Sequence, residues 1–179
     1  MTKLHLGCGK RNFGPDWDHI DGGDYSHLKS HDIINLPYAT NSVDLIYSSH
    51  TVEYFDREEI KYVLREWRTV LKMGGVLRIA VPDFEVISRL YQAGFDLSYF
   101  VGPLYGKMKM GDSWVYHKTV YDFSSLRNVL LEAGFRDIIK YDWRNTEHSQ
   151  FDDFSQAYLP HLDKDRGILI SLNVQGVKA

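Results

Sequence analysis

Lys3-Leu4-His5-Leu6-Gly7-Cys8-Gly9, followed closely by Asp18-His19-Ile20-Asp21, is the stretch on which the fold turns. The first four residues read as a β-strand running into a glycine turn, and the second group as a short apolar step ending in an acid. Glycines let the backbone approach a ligand closely, and a carboxylate at the end of the next strand can take ribose hydroxyls. Together they form the skeleton of a nucleotide-cofactor site at the switch point of a parallel α/β sheet. Gly-x-Gly also serves ordinary tight turns, so the reading depends on the segments that surround it.

Those segments alternate. Val43-Asp44-Leu45-Ile46-Tyr47 reads as a strand after the turn Asn41-Ser42. Asp56, with Glu59 three residues on, is a variant capping box for a helix. Its apolar stripe is Ile60, Val63, Leu64, Trp67, Val70 and Leu71, and Gly74-Gly75 is expected to end it. Val76–Val81 is the next strand, Pro82 stops it, and Asp83 caps a helix with Val86, Ile87, Leu90 and Tyr91 on one side. Ser124 is expected to open a further helix closed by Gly134, and 137–141 and 168–174 to be the last strands. Strands alternating with helices imply a doubly wound, Rossmann-like α/β sheet in a single domain spanning 1–179. Two aromatic or polar stretches, about 94–118 and 142–166, break the pattern and have the length of binding loops or lids.

The 179 residues are 44% hydrophobic, enough for one substantial core, and the net charge is −3. No basic run alternates with aromatics, so no nucleic-acid partner is expected. One cysteine excludes a disulfide framework. No apolar run has bilayer length, and the chain is expected to be soluble and cytoplasmic, with no membrane partner.

The ordered set Leu6-Gly7-Cys8-Gly9, Asp21, Asp32 with Leu36-Pro37-Tyr38, Ser42–Tyr47, Ser49-His50 with Glu53, Leu64–Arg68, Val70–Ile79 and Val81-Pro82-Asp83-Phe84 resembles the class I S-adenosylmethionine-dependent methyltransferases. It is most similar to a short bacterial branch of them. The resemblance implies a seven-stranded sheet with an antiparallel last strand and S-adenosylmethionine across the carboxyl ends of the first strands. Gly7, Cys8 and Gly9 would form the cofactor loop, with Cys8 a small buried filler; Asp21 would take the ribose, and Asp32 and Ile33 would border the adenine. Ser49 and His50 would lie near the sulfonium. Residues 94–118 and 142–166 would form the acceptor side.

Three departures stand out. Arg11 occupies the place of the usual third glycine, His5 that of a common acid, and Lys10–Asp18 leaves scarcely any room for the helix after the loop. With the N-terminal helices so reduced, one sheet face needs other cover: Phe13, Trp17 or a second subunit, most simply in a symmetric homodimer.

Methyl transfer from a sulfonium is an in-line displacement that needs alignment above all, and a base only when the acceptor arrives protonated. His50 and His117 are the candidate bases, although either could equally be a packing histidine. Tyr54, Tyr99, Tyr105, Trp114 and Tyr116 are candidate pocket rings. Ser48-Ser49-His50-Thr51 stands where amide and adenine N-methyltransferases carry Asn/Asp-Pro-Pro-aromatic, which argues against those substrates, while the long aromatic loop favours a small-molecule acceptor: a saccharide, a metabolite or a modified cell-envelope precursor. No His-x-x-x-His cluster suggests a metal, and no Gly-x-Ser-x-Gly elbow a hydrolase. Two other readings stay open: a non-catalytic binding or assembly module on the same fold, and an NAD(P)-linked oxidoreductase sharing the loop and acid.

Overall fold

The strands in chain order are β1 (Lys3–Leu6), β2 (Asp18–Ile20), β3 (Leu28–Ser30), β4 (Val43–Ser49), β5 (Leu71–Pro82), β6 (Met108–Met110), β7 (Ser113–Val115), β8 (Phe135–Lys140), β9 (Tyr158–Leu159), β10 (Ile168–Leu169) and β11 (Ser171–Lys178). In this computed structural model, which describes residues 1–179, seven of them form one sheet in the order β3-β2-β1-β4-β5-β11-β8. β3, β2, β1, β4 and β5 run parallel, and β11 is antiparallel to both its neighbours. The seven-stranded sheet with an antiparallel last strand is thus present. β3 is a short, half-exposed edge strand without apolar alternation, and the sequence gives no sign of it.

On one face, α1 (Glu59–Val70) and α4 (Phe123–Glu132) cover the sheet. The expected stripe of α1 is buried from Ile60 to Val70, and Trp67 Nε1 donates to the Ile33 carbonyl at 2.6 Å. The expected capping box is present ahead of it: Asp56 Oδ1 accepts from the Glu58 and Glu59 amides, and Glu59 Oε2 accepts from the Asp56 amide. α2 (Phe84–Gln92) is capped by Asp83, whose carboxylate accepts from the Glu85 and Val86 amides. With α3 (Ser98–Tyr105) it builds a second core from Ile87, Leu90, Phe100, Leu159 and Ile170.

Two boundaries differ from expectation. Gly74-Gly75 does not end α1; the helix stops at Val70 and the chain enters β5 directly through a bulge between its pairings with Val43 and Leu45. The stop comes from elsewhere. The buried Lys178 ammonium donates to the Thr69 and Leu71 carbonyls and to Asn41 Oδ1, and the Asn41 and Ser42 amides reach Thr69 and Val70. Orphan carbonyls at the helix end are thereby paired without glycine. Asp122, not Ser124, caps α4, in a capping box with Ser125.

The opposite face lacks the helix that would follow the glycine loop, and residues 142–166 replace it. Phe13, Trp17, Leu45 and Tyr47 form a core with Phe151 against them. His148 lies 3.9 Å from the Tyr47 ring, and His5 stacks on Phe13 at 4.0 Å. Tyr47 Oη donates to the buried Asp153 carboxylate at 2.5 Å. Cover of this face comes from the chain itself.

His5, His19 and His148 are buried in that cluster, and burial holds all three below the ordinary histidine range, His148 at about 4. The unfolded chain therefore binds protons that these rings refuse as pH falls through about 6.5, and stability falls with it. His148→Gln should remove its share, on the order of 3 kcal/mol between pH 6.5 and 4, seen as a shallower acid slope of urea midpoints.

Candidate active site

The carboxyl ends of the parallel strands meet at one edge of the sheet. Gly7 follows β1, Asp21 follows β2, and Ser49 ends β4 with His50 directly after it. They open on a cleft of about 1230 Å³. Gly7, Gly9, Asp21, Ile33, Ser49 and His50 line it, as do His117, Tyr54, Tyr99, Trp114 and Tyr116; Tyr105 does not. The 142–166 segment contributes Asp152, Asp153, Phe154 and Gln156.

The two loop glycines have different tasks. Gly7, at φ +66°, donates its amide to the Ile20 carbonyl at 2.8 Å, and a Cβ there would overlap the Thr51 side chain. Gly9, at φ +55°, has nothing within 4 Å of where a Cβ would stand, so it borders open space. Asp21 holds the loop together: Oδ2 accepts from the Gly9 amide at 2.8 Å and Oδ1 from the Gly23 amide at 2.7 Å. Its remaining lone pairs are free for hydroxyl donors.

Two expected cofactor residues do not face the cleft. The Cys8 side chain is buried, its Sγ 3.8 Å from His27 Nε2, and burial followed by the nearby Asp21 charge pushes the thiol up to about 12. It is a filler. Asp32 is exposed and braces its own turn, accepting from the Ile34 and Asn35 amides and from Asn35 Nδ2. Ile33 beside it does reach the cleft.

His50 stands in the left-handed region at φ +51°, held by its amide bond to the Ala80 carbonyl at 2.8 Å. A non-glycine residue there costs free energy, which the packing around it must offset. Its ring rests 5.1 Å from Phe154, and burial followed by the neighbouring His117 lowers its pKa to about 3. His117 packs edge-on against Tyr54 at 4.6 Å, with Nδ1 3.0 Å from the Pro103 carbonyl. Gly106 (φ +44°) is obligatory beside it, because a Cβ would overlap the imidazole.

Between the histidines lies Glu53, fully buried, its Oε1 3.6 Å from His50 Nδ1 and 3.7 Å from His117 Nε2. Sequence reading treats Glu53 as a structural carboxylate. The signal for more was its i,i+3 spacing from His50 on one turn. Arg11 is a second residue with a task that the sequence did not reveal. It lines the cleft, donates Nε to the Asp152 carbonyl at 3.0 Å and sits 4.8 Å over Phe154, tying the loop to 142–166. On the far side the β6–β7 hairpin reaches over the loop, with Met110 beside Gly22.

Comparison with known proteins agrees with this geometry. Residues 4–79 match the family model described as a methyltransferase domain. The fold is similar to a SAM-dependent methyltransferase from Archaeoglobus fulgidus, at TM-score 0.58 and 15% identity, covering 99% of this chain and 86% of that one. It is likewise similar to SAM-dependent methyltransferases from Thermotoga maritima (TM-score 0.58, 15% identity, 99% and 82% covered) and Methanosarcina mazei (TM-score 0.57, 14% identity, 99% and 92% covered). No curated protein matches by sequence. The glycine loop, the following acid and the antiparallel β11 inserted between β5 and β8 give this chain the fold of the class I S-adenosylmethionine-dependent methyltransferases, and the match over residues 4–79 supports S-adenosylmethionine as its cofactor. The antiparallel strand separates it from dinucleotide-binding sheets.

The chain's own residues fit that cofactor. Gly9 leaves room that a side chain would fill, Asp21 offers acceptors for hydroxyls, and Ser49 Oγ is buried at the cleft without a partner. Gly9→Ala should therefore weaken binding of S-adenosylhomocysteine at least tenfold by calorimetry, at a stability cost of only about 1–2 kcal/mol. Gly7→Ala should instead lower the unfolding midpoint further, because Thr51 must move.

Proposed function

We propose that the enzyme methylates a small-molecule acceptor seated between residues 94–118 and 142–166, with His50 and His117 facing the reacting group. One observation carries the reading: a single cleft joins Gly9 and Asp21 to both histidines and to a wall of aromatic rings. When bound, S-adenosylmethionine would supply a methyl group activated on a sulfonium for in-line displacement by the acceptor's electron pair, with the sulfide as leaving group.

The chain's contribution is to orient and dry the acceptor. Alignment of two reactants can supply roughly 7–11 kcal/mol of the barrier in favourable cases. Tyr99, Trp114 and Tyr116 offer flat apolar surfaces, and Lys107 sits 4.4 Å over the Trp114 ring. Asp21 would take the ribose hydroxyls. Flat rings beside polar groups suit a compact metabolite or saccharide. No helix is long and apolar enough to cross a membrane.

Thermal unfolding with and without S-adenosylmethionine, its demethylated product and NAD tests the binding half directly. At ligand near 100 times its dissociation constant, linkage gives about 2.7 kcal/mol, a rise of roughly 5–10 °C for a chain of this size. The rise should occur with the first two ligands, be absent with NAD, and vanish in Asp21→Ala. A flat response to all three overturns the proposal.

A further inference from the structure

Glu53 is the group the methyl-transfer reading leaves without a task. Its carboxyl is 1% exposed and neither oxygen has a hydrogen-bond partner. A buried carboxylate in that condition is costly. Its surroundings decide its form. A backbone carbonyl can only accept, so the 3.0 Å contact between His117 Nδ1 and Pro103 O fixes a proton on Nδ1. Neutral His117 then presents a lone pair at Nε2 to Glu53 Oε1, 3.7 Å away. Two lone pairs facing one another out of water repel, unless a proton lies between them. On its other side the same oxygen faces His50 Nδ1 at 3.6 Å. A proton on that nitrogen leaves His50 Nε2, buried and without a partner, free to accept.

We propose, building on the methyl-transfer reading, that Glu53 shares one proton with His50 and His117, and that the three together take up the proton shed by a hydroxyl-bearing acceptor. At rest the cluster is a carboxylic acid and two neutral imidazoles, with no net charge. The acceptor's proton moves to His50 Nε2, and the Glu53 proton moves to His117 Nε2. A carboxylate then lies between two imidazolium rings, one positive charge in all. That is the charge which leaves the sulfonium when its methyl departs, so the balance closes without any further reactant.

The neighbours explain why a carboxyl is needed. Arg11 faces His50 and opposes a positive charge there. Tyr54 packs on His117, and the Tyr121 hydroxyl, buried without a partner, lies within the influence of Glu53. The Lys118 and Thr119 amides bond to the Glu53 carbonyl, while the Lys118 ammonium is engaged by Glu59. No other carboxylate faces either ring in ion-pair range. Burial accordingly raises Glu53 to about 8 and, with His117 adding to the effect, lowers His50 to about 3, so the resting cluster is neutral around pH 7. Glu53 is a positioning residue here, acting through His50 and His117.

The test is histidine-labelled ¹H–¹⁵N correlation NMR across a pH series, with wild type and Glu53→Gln, alongside infrared difference spectra and calorimetry with S-adenosylhomocysteine. Expected are Nδ1-protonated tautomers for both rings and a carboxylic-acid carbonyl band near neutral pH that Glu53→Gln lacks. In Glu53→Gln the proton affinity of both histidines should fall at least tenfold, with S-adenosylhomocysteine affinity unchanged within about threefold. Histidines that titrate independently of residue 53, or an Nε2-protonated His50, overturn the proposal while leaving cofactor binding intact. Wild type that does not bind S-adenosylhomocysteine overturns the methyl-transfer reading and the proposal with it. The tautomers are read in wild type, so they decide the matter even if Glu53→Gln fails to fold.

Discussion

Only Lys10–Trp17 separate the glycine loop from β2, and much of the molecule follows from that short span. A parallel crossover of this length cannot hold a full helix, so one face of β1 and β4 would meet water. Phe13 and Trp17 go down onto the face from the crossover itself. Phe151 and His148 close over them from the far end of the sequence. Because that segment is pulled across the sheet, Phe154 reaches His50 and Asp152 reaches Arg11. The cover of the sheet and one wall of the cleft are the same piece of chain.

The substitutions that look like losses in the sequence fall into place against this constraint. His5 stands where an acid is common, and it is the ring on which Phe13 stacks. Arg11 replaces a glycine and joins the loop to the segment that substitutes for the helix. A larger share of polar and titratable groups is buried here than an apolar sheet face would carry. Tyr47–Asp153, His148 and the His50–Glu53–His117 cluster are all held out of water, where partners matter more than in solvent.

Much of the parallel core was legible because period and punctuation agree there. Residues 43–47, the stripe from Ile60 to Val70, and Asp83 before α2 each combine apolar spacing with a stop or cap. Gly74 misled for a physical reason: it has the positive φ of a helix stop but spends it on a strand bulge, while the stop itself comes from Lys178, more than a hundred residues away. α3 was hidden by Gly102 and Pro103 inside it, and the β6–β7 hairpin by its short, exposed strands. Of the site, the glycine loop, Asp21, Ile33, Ser49 and both histidines come to one cleft. Asp32 spends its carboxylate on its own turn, Cys8 faces inward, and the partnership of Glu53 with His117 is a tertiary fact that no local pattern encodes.

β11 has a further consequence, for the birth of the protein. It follows β8 in the sequence, yet it sits inside the sheet, and β8 pairs with no other strand. Its Lys178 also closes the end of α1. Emerging from the ribosome, the first five sheet strands can pair, but β8 has no strand partner and the edge of β5 stays open until β11 has been made. Throughout that interval an apolar edge is exposed to other chains. The sheet of this protein is thus closed by β11, in one late and largely non-local step.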